Sequence, residues 1–178
     1  LIAYQTAWLK CHYPKEFFAA IMSLETNDSE KLSSFLRELK IKNIRLSLPN
    51  INETFSNYRV SSRNFDKDVK IIFSLSCIKN VGVSAINDLV IEREQNGIFL
   101  SLEDFTKRIP NSLLNKRVFE NLIKSGALDC FNIDRSTLIN SIDNILSYAE
   151  MSKRENFSNQ DSLFQVEEQN NLKIRLND

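Results

Sequence analysis

The chain has one histidine, one tryptophan, and only three each of glycine, proline and cysteine in 178 residues. Cys11, Cys77 and Cys130 are scattered and form no Cys-x-x-Cys pair. An odd, unclustered count reads as reduced thiols in a cytosolic protein. The single histidine, His12, cannot complete a zinc site with them and reads as a packing or surface residue. Charge of one sign is also missing: 23 Lys and Arg face 23 Asp and Glu. There is no general basic field, so any nucleic-acid contact must be local and weak. No apolar run approaches membrane-spanning length, and no charged stretch precedes an apolar one at the start, so neither a span nor a signal peptide is expected. The scarcity of Gly, Pro and Trp beside abundant Asn, Ile, Lys and Phe fits AT-rich coding and says little about function.

What is present is mainly helical periodicity, over a length that fits one domain or a compact pair of subdomains. Tyr4, Ala7, Trp8 and Cys11 recur at helical spacing and predict a first helix with a buried aromatic face. Leu1 already lies inside this pattern, as expected of a piece of a longer protein. Pro14 opens a second helix to about Glu25, with Phe17, Phe18, Ile21 and Met22 inward. "NDSEKLSSFLRELK" reads as a capping box, Asn27 with Glu30, leading a stripe of Leu32, Phe35, Leu36 and Leu39. The period then changes: Ile44, Leu46 and Leu48 alternate with polar residues, and Pro49-Asn50 marks a turn. "YRVSS" and "VKIIFSLSCI" pair as a hairpin around "RNFDKD". Helical stripes return at Ile86, Leu89, Val90 and Arg93, ending at Gly97. Another helix starts at Ser101 with Asp104, and one at Asn115–Lys124 carries Val118, Leu122 and Ile123 and stops at Gly126. Asp134 caps a helix with Leu138, Ile142, Ile145 and Leu146 inward, and from Ser152 the chain has the composition of a tail.

The stretch "CIKNVGVSAINDLV", Cys77 to Val90, places a rare glycine between two apolar residues and ahead of a helix. A tight turn there calls for positive φ, which Gly82 tolerates best and Asn80 next best. Such a turn leaves backbone N–H groups facing outward at a helix N-terminus, where a phosphate oxygen suits them. A plain helix-capping turn is the alternative on these residues alone. The unit resembles a helix-hairpin-helix motif, with Asn80 where the family's Gly-apolar-Gly pattern has its first glycine. "NLIKSGALDCF" has the same layout around Ser125 and Gly126 and reads as the second half of a tandem pair.

"IAYQTAWLKCHYPKEFFAAIMS", "FSLSCIKNVGVSAINDLVIERE" and "LLNKRVFENLIKSGALDCF", in this order and spacing, resemble the alpha subunit of bacterial replicative DNA polymerase III. The likeness runs from about Leu1 to Ala149, from the end of the fingers through the helix-hairpin-helix segment. It departs at "LSLPNIN", where the family more often has two prolines and an aspartate and this chain has Leu48 and Asn50; a local loop change is expected. The resemblance implies a mainly α fold: a small helical domain with a short β-hairpin, a tandem helix-hairpin-helix motif and a polar C-terminal tail. It divides the chain into a helical end of the fingers (1–57), a β-hairpin with the tandem motif (58–131), an amphipathic helix (132–150) and a flexible tail (151–178).

The resemblance also implies a function. Duplex DNA would be held weakly and without sequence preference by Lys79, Asn80, Val81, Gly82, Val83 and Ser84, and by Lys116, Arg117, Lys124, Ser125 and Gly126. The tail sequence "NQDSLFQ" contains Gln160, Asp161, Ser162, Leu163 and Phe164, a Gln-x-x-Leu-Phe peptide of the type that binds the ring-shaped sliding clamp. The other partners implied are the rest of the polymerase and further replisome subunits, in the cytoplasm and without a membrane. Polymerase chemistry needs carboxylates that hold two Mg²⁺ ions. The resemblance places that palm ahead of Leu1, so this stretch is expected to be inactive and to hold no cofactor. A helix-hairpin-helix glycosylase fits poorly, since "NGIFLSLEDF" after the hairpin lacks proline and any matching catalytic Asp context. A helical interaction module whose hairpins are only structural is the alternative.

Overall fold

The computed structural model describes residues 1–61, 69–161, 174 and 176. Among these the fold is mainly helical: α1 (Ile2–His12), α2 (Pro14–Leu24), α3 (Ser29–Ile41), α4 (Val83–Asn96), α5 (Leu102–Arg108), α6 (Lys116–Ser125), α7 (Arg135–Asn140) and α8 (Ile142–Asp161). One antiparallel hairpin joins β1 (Arg59–Val60) to β2 (Ile71–Ile72), in register Arg59 to Ile72 and Val60 to Ile71. The polar connection expected between them lies largely outside the described residues. Among the described residues no helix is long and apolar enough to cross a membrane.

Two apolar clusters hold the elements. The smaller contains Phe18, Ala19 and Met22 of α2, Leu39 of α3, Ile44, Tyr58 and Ile71. The larger gathers Ile51, Leu75, Val81, Ile86, Leu89, Phe99, Phe105, Phe119 and Leu122, with Leu138 and Ile145 behind them. Phe73 touches both clusters. Full burial of each large side chain contributes about 1.5–3 kcal/mol.

Several expectations are corrected. The first helix forms but buries nothing: Tyr4 is 72% exposed and Trp8 43%, with Trp8 stacking only on His12 and Tyr13. Helical spacing says which residues share a face, not what covers that face. The third helix is capped by Asp28, which accepts from the Lys31 N–H at 3.0 Å, rather than by Asn27. Leu36 and Leu48 face outward. The helix expected across 132–150 is two helices, broken at Ser141, and α8 continues to Asp161 into the stretch read as tail. Asp134 stands at the N-cap of α7 without a side-chain capping bond. The starts at Ser101 and Asn115 are as expected, since each side chain accepts from a first-turn N–H.

The turn after Pro49 is the best-anchored loop. Asn50 Oδ1 accepts from the Asn52 N–H at 2.8 Å, and the Asn50 carbonyl accepts from the Thr54 N–H at 2.9 Å. The Asn52 amide pairs with both the N–H (2.8 Å) and the carbonyl (2.9 Å) of Phe99. The Ile51 N–H donates to the Ala127 carbonyl at 2.9 Å. Arg93, read from its spacing as part of an apolar stripe, is buried and donates to the carbonyls of Ile51 and Thr54, both at 2.9 Å. Its guanidinium also lies 5.0 Å from the Phe55 ring. Burial lowers its pKa from the ordinary arginine value. Arg93→Ala leaves two inward carbonyls without a donor and is expected to destabilise the fold by about 2–4 kcal/mol. Urea unfolding of parent and variant measures this, and a loss within experimental error would refute the role given to the clasp.

Candidate nucleic-acid interface

The first hairpin is built from Leu75–Cys77, a single 3-10 turn, then Ile78 to Gly82, then α4. Val81 and Ala85 are buried and anchor it from below. The Val81 N–H donates to the Ile78 carbonyl at 3.1 Å, which closes a β-turn with Lys79 and Asn80 at its centre. Asn80 has φ 65° while Lys79 does not have positive φ, the pattern of a type II turn.

The expectation of positive φ at Gly82 is therefore corrected. Gly82 has φ −76° and ψ 143° and is the N-cap of α4. Any residue adopts that conformation, and the left-handed position falls on Asn80, one of the few non-glycine residues that tolerate it. Gly82 instead leaves open space: a Cβ built there meets no atom within 4 Å. No side chain caps α4. The N–H groups of Asn80, Gly82, Val83 and Ser84 make no hydrogen bond among the described residues. The result is a short outward row of main-chain donors at the positive end of a helix dipole.

The second turn is different. The Gly126 N–H donates to the Ile123 carbonyl at 2.9 Å and the Ala127 N–H to the Leu122 carbonyl at 3.1 Å. The Ser125 hydroxyl donates to the Leu122 carbonyl at 2.8 Å. These donors close the end of α6 and face no partner. Gly126 is left-handed (φ 83°, ψ 10°), and a Cβ there would collide with the Arg135 guanidinium and lie 2.9 Å from the Asp129 carboxylate. Arg135 and Asp129 form an ion pair over the turn, and its hydrogen bond holds the Asp129 carboxyl below its ordinary pKa.

The basic residues divide similarly. Lys116 pairs with Asp143 at 2.8 Å and Lys124 with Glu120 one helical turn away. Lys79 and Arg117 are exposed and have no carboxylate partner among the described residues. α6 reaches the first hairpin through Asn121, whose amide donates to the Lys79 carbonyl at 2.8 Å. Sequence reasoning missed Asn121, because an asparagine on the polar side of an amphipathic helix looks like any solvated residue. Of the pentapeptide, the backbone of Gln160 and Asp161 belongs to α8, while Ser162, Leu163 and Phe164 lie outside the described residues.

The two glycines should respond oppositely to substitution. Gly126→Ala forces a side chain into the left-handed region and against Arg135, for a loss of about 1–2 kcal/mol. Gly82→Ser supplies the missing N-cap hydroxyl and should gain only a few tenths of a kcal/mol, since glycine is itself a tolerated N-cap. Denaturant midpoints of the two variants check the pair, and a loss at Gly82→Ser would contradict its open N-cap position.

A family model described as helix-hairpin-helix motif matches residues 43–138. The chain is 40% identical over 169 residues to the DNA polymerase III subunit alpha of Thermus aquaticus, covering 94% of this chain and 13% of that protein. It is 38% identical over 164 residues to that of Borreliella burgdorferi, covering 92% of this chain and 14% of the relative. The Neisseria meningitidis subunit matches at 38% over all of this chain and 15% of its own length. The chain thus spans only a small part of the length of these curated relatives. The turn at Asn80, the helix it starts and the match across both belong together: this chain is a member of the helix-hairpin-helix family, in the form found within DNA polymerase III alpha subunits.

Proposed function

We propose that this chain is a non-catalytic part of a replicative DNA polymerase alpha subunit that holds duplex DNA by its backbone and binds the sliding clamp. The observation that carries the DNA reading is the row of unbonded N–H groups at Asn80 and Gly82–Ser84 beside open space at Gly82. Phosphate oxygens accept from such donors without reference to base sequence. Lys79 and Arg117 supply the nearby positive charge. Lys116 and Lys124 add less, since each already faces a carboxylate. The Gly126 and Ala127 N–H groups of the second turn already close the end of α6, and it is Asn121 of that helix that bonds to the first turn. Among the described residues no three His, Cys, Asp or Glu side chains gather where a metal ion could sit. The resemblance to the polymerase subunit puts Mg²⁺-dependent nucleotide transfer in other parts of that protein, and no step of it is placed here. The relatives' role in replication makes the cytoplasm the expected compartment.

Anisotropy titration of the chain with labelled duplex tests this reading. Affinity should be weak, indifferent to base sequence and lower at higher salt, with a shallow slope because few phosphates are neutralised. Gly82→Ser should weaken binding even as it stabilises the fold, because its hydroxyl would take up N–H groups meant for phosphate. Undiminished binding by that variant means the hairpin is not the contact.

The clamp reading rests on Gln160, Leu163 and Phe164. Two adjacent apolar side chains entering a preformed pocket supply roughly 3–6 kcal/mol before costs, and ordering the peptide offsets part of that. The net affinity should be on the order of micromolar. DNA threaded through the clamp would keep both partners at high effective concentration, so a weak link is enough. In calorimetry with the clamp, changing Leu163 and Phe164 together to Ala should remove the binding heat and leave thermal stability unchanged. Gln160→Ala should cost about 1 kcal/mol. Equal affinity of parent and double variant would place any clamp contact elsewhere.

A further inference from the structure

The turn Ile78–Val81 can exist in two forms that differ by a flip of its central peptide, Lys79–Asn80. Type II places Asn80 at positive φ, and type I returns it to negative φ with the peptide reversed. The C=O and N–H of a trans peptide point in opposite directions. Whatever fixes the Lys79 carbonyl therefore also aims the Asn80 N–H. In this fold the Lys79 carbonyl accepts from the Asn121 amide of α6 at 2.8 Å, and the Asn80 N–H makes no bond among the described residues. Asn80 lies at φ 65°, a position that glycine takes without cost and asparagine only at some cost.

We propose that Asn121 is a positioning residue for DNA backbone binding: its amide locks the Lys79–Asn80 peptide in the type II orientation, so that the Asn80 N–H joins those of Gly82, Val83 and Ser84 in one outward row. This rests on the reading of the first hairpin as the DNA contact. It gives the second helical unit a task that its own closed turn cannot perform. It also accounts for an asparagine where glycine would be easier, since a bond from a neighbouring helix offsets the cost of the left-handed residue.

The test uses the whole chain with Asn121→Ala, Asn80→Gly and the two combined, each measured against labelled duplex and by NMR. Loss of one neutral hydrogen bond corresponds to roughly a five-fold weaker affinity in Asn121→Ala. The strong contact between Lys79 Hα and the Asn80 N–H, the mark of a type II turn, should fade in the same variant. Adding Asn80→Gly should restore both, because glycine holds positive φ unaided. Two results would overturn the proposal. One is Asn121→Ala binding like the parent. The other is a loss that Asn80→Gly does not recover, which would mean that the amide touches DNA itself. If Gly82→Ser leaves binding intact, the DNA reading has failed and the positioning role falls with it. The NMR contact then still decides whether Asn121 sets the turn.

Discussion

The contact on which the rest depends is the buried guanidinium of Arg93 against the carbonyls of Ile51 and Thr54. It is a hydrogen bond from a cation in a low-dielectric setting, and such bonds are stronger than neutral ones. Its effect is topological. The Pro49–Thr54 turn comes before the β-hairpin in sequence, yet it lies against α4, Phe99 and Ala127, all far along the chain. With that turn fixed, α4 has one position relative to the end of α6, and the first hairpin is presented at one angle. Arg108 makes a similar arrangement nearby, meeting Glu92 and Asp104 at 3.0 Å each and stacking over Phe99. Two arginines thus tie α4 to the Pro49–Thr54 turn and to α5.

The two turns show how similar sequence layouts reach different ends. "KNVGV" and "KSGAL" both set a glycine after a lysine and a small polar residue. In the second, the glycine itself takes the left-handed position and closes its own helix, and the ion pair of Asp129 and Arg135 covers it. In the first, asparagine takes that position two residues earlier, and the glycine is left in extended backbone with nothing above it. One turn ends a helix and satisfies its donors. The other begins a helix and leaves its donors open.

The helical class, the hairpin strands, the starts at Ser101 and Asn115 and the Gly126 stop were legible because each depends on local periodicity or a local cap. Phe18, Met22, Leu89 and Leu122 were placed inside for the same reason, and they are. The errors were of another kind. Glycine is the usual bearer of positive φ, so sequence points to Gly82, but the turn closes between Ile78 and Val81 and the left-handed residue is Asn80. The spacing of Tyr4 and Trp8 predicts a shared face but carries no information about a facing surface, and both are exposed. Asn121 and Asn52 were invisible, because each acts through a bond to main chain more than forty residues away. In the candidate site, the main-chain donors could be expected from the motif. The Glu120–Lys124 pair, one turn apart on an expected helix, was legible too, whereas the pairing of Lys116 with Asp143, 27 residues away, was not.

The open donors of the first hairpin belong to main chain, and every sequence has main chain. A partner meeting Asn80, Gly82, Val83 and Ser84 meets four peptide N–H groups and not side-chain donors. The instructions for such a surface are therefore written away from it. Val81 and Ala85 set its depth, Asn121 sets the tilt of one peptide, and Arg93 sets the angle of the whole hairpin. Variation at those supporting positions changes the surface without touching it, while at the tip itself only Asn80 and Gly82 are constrained, one by its left-handed φ and the other by the open space above it.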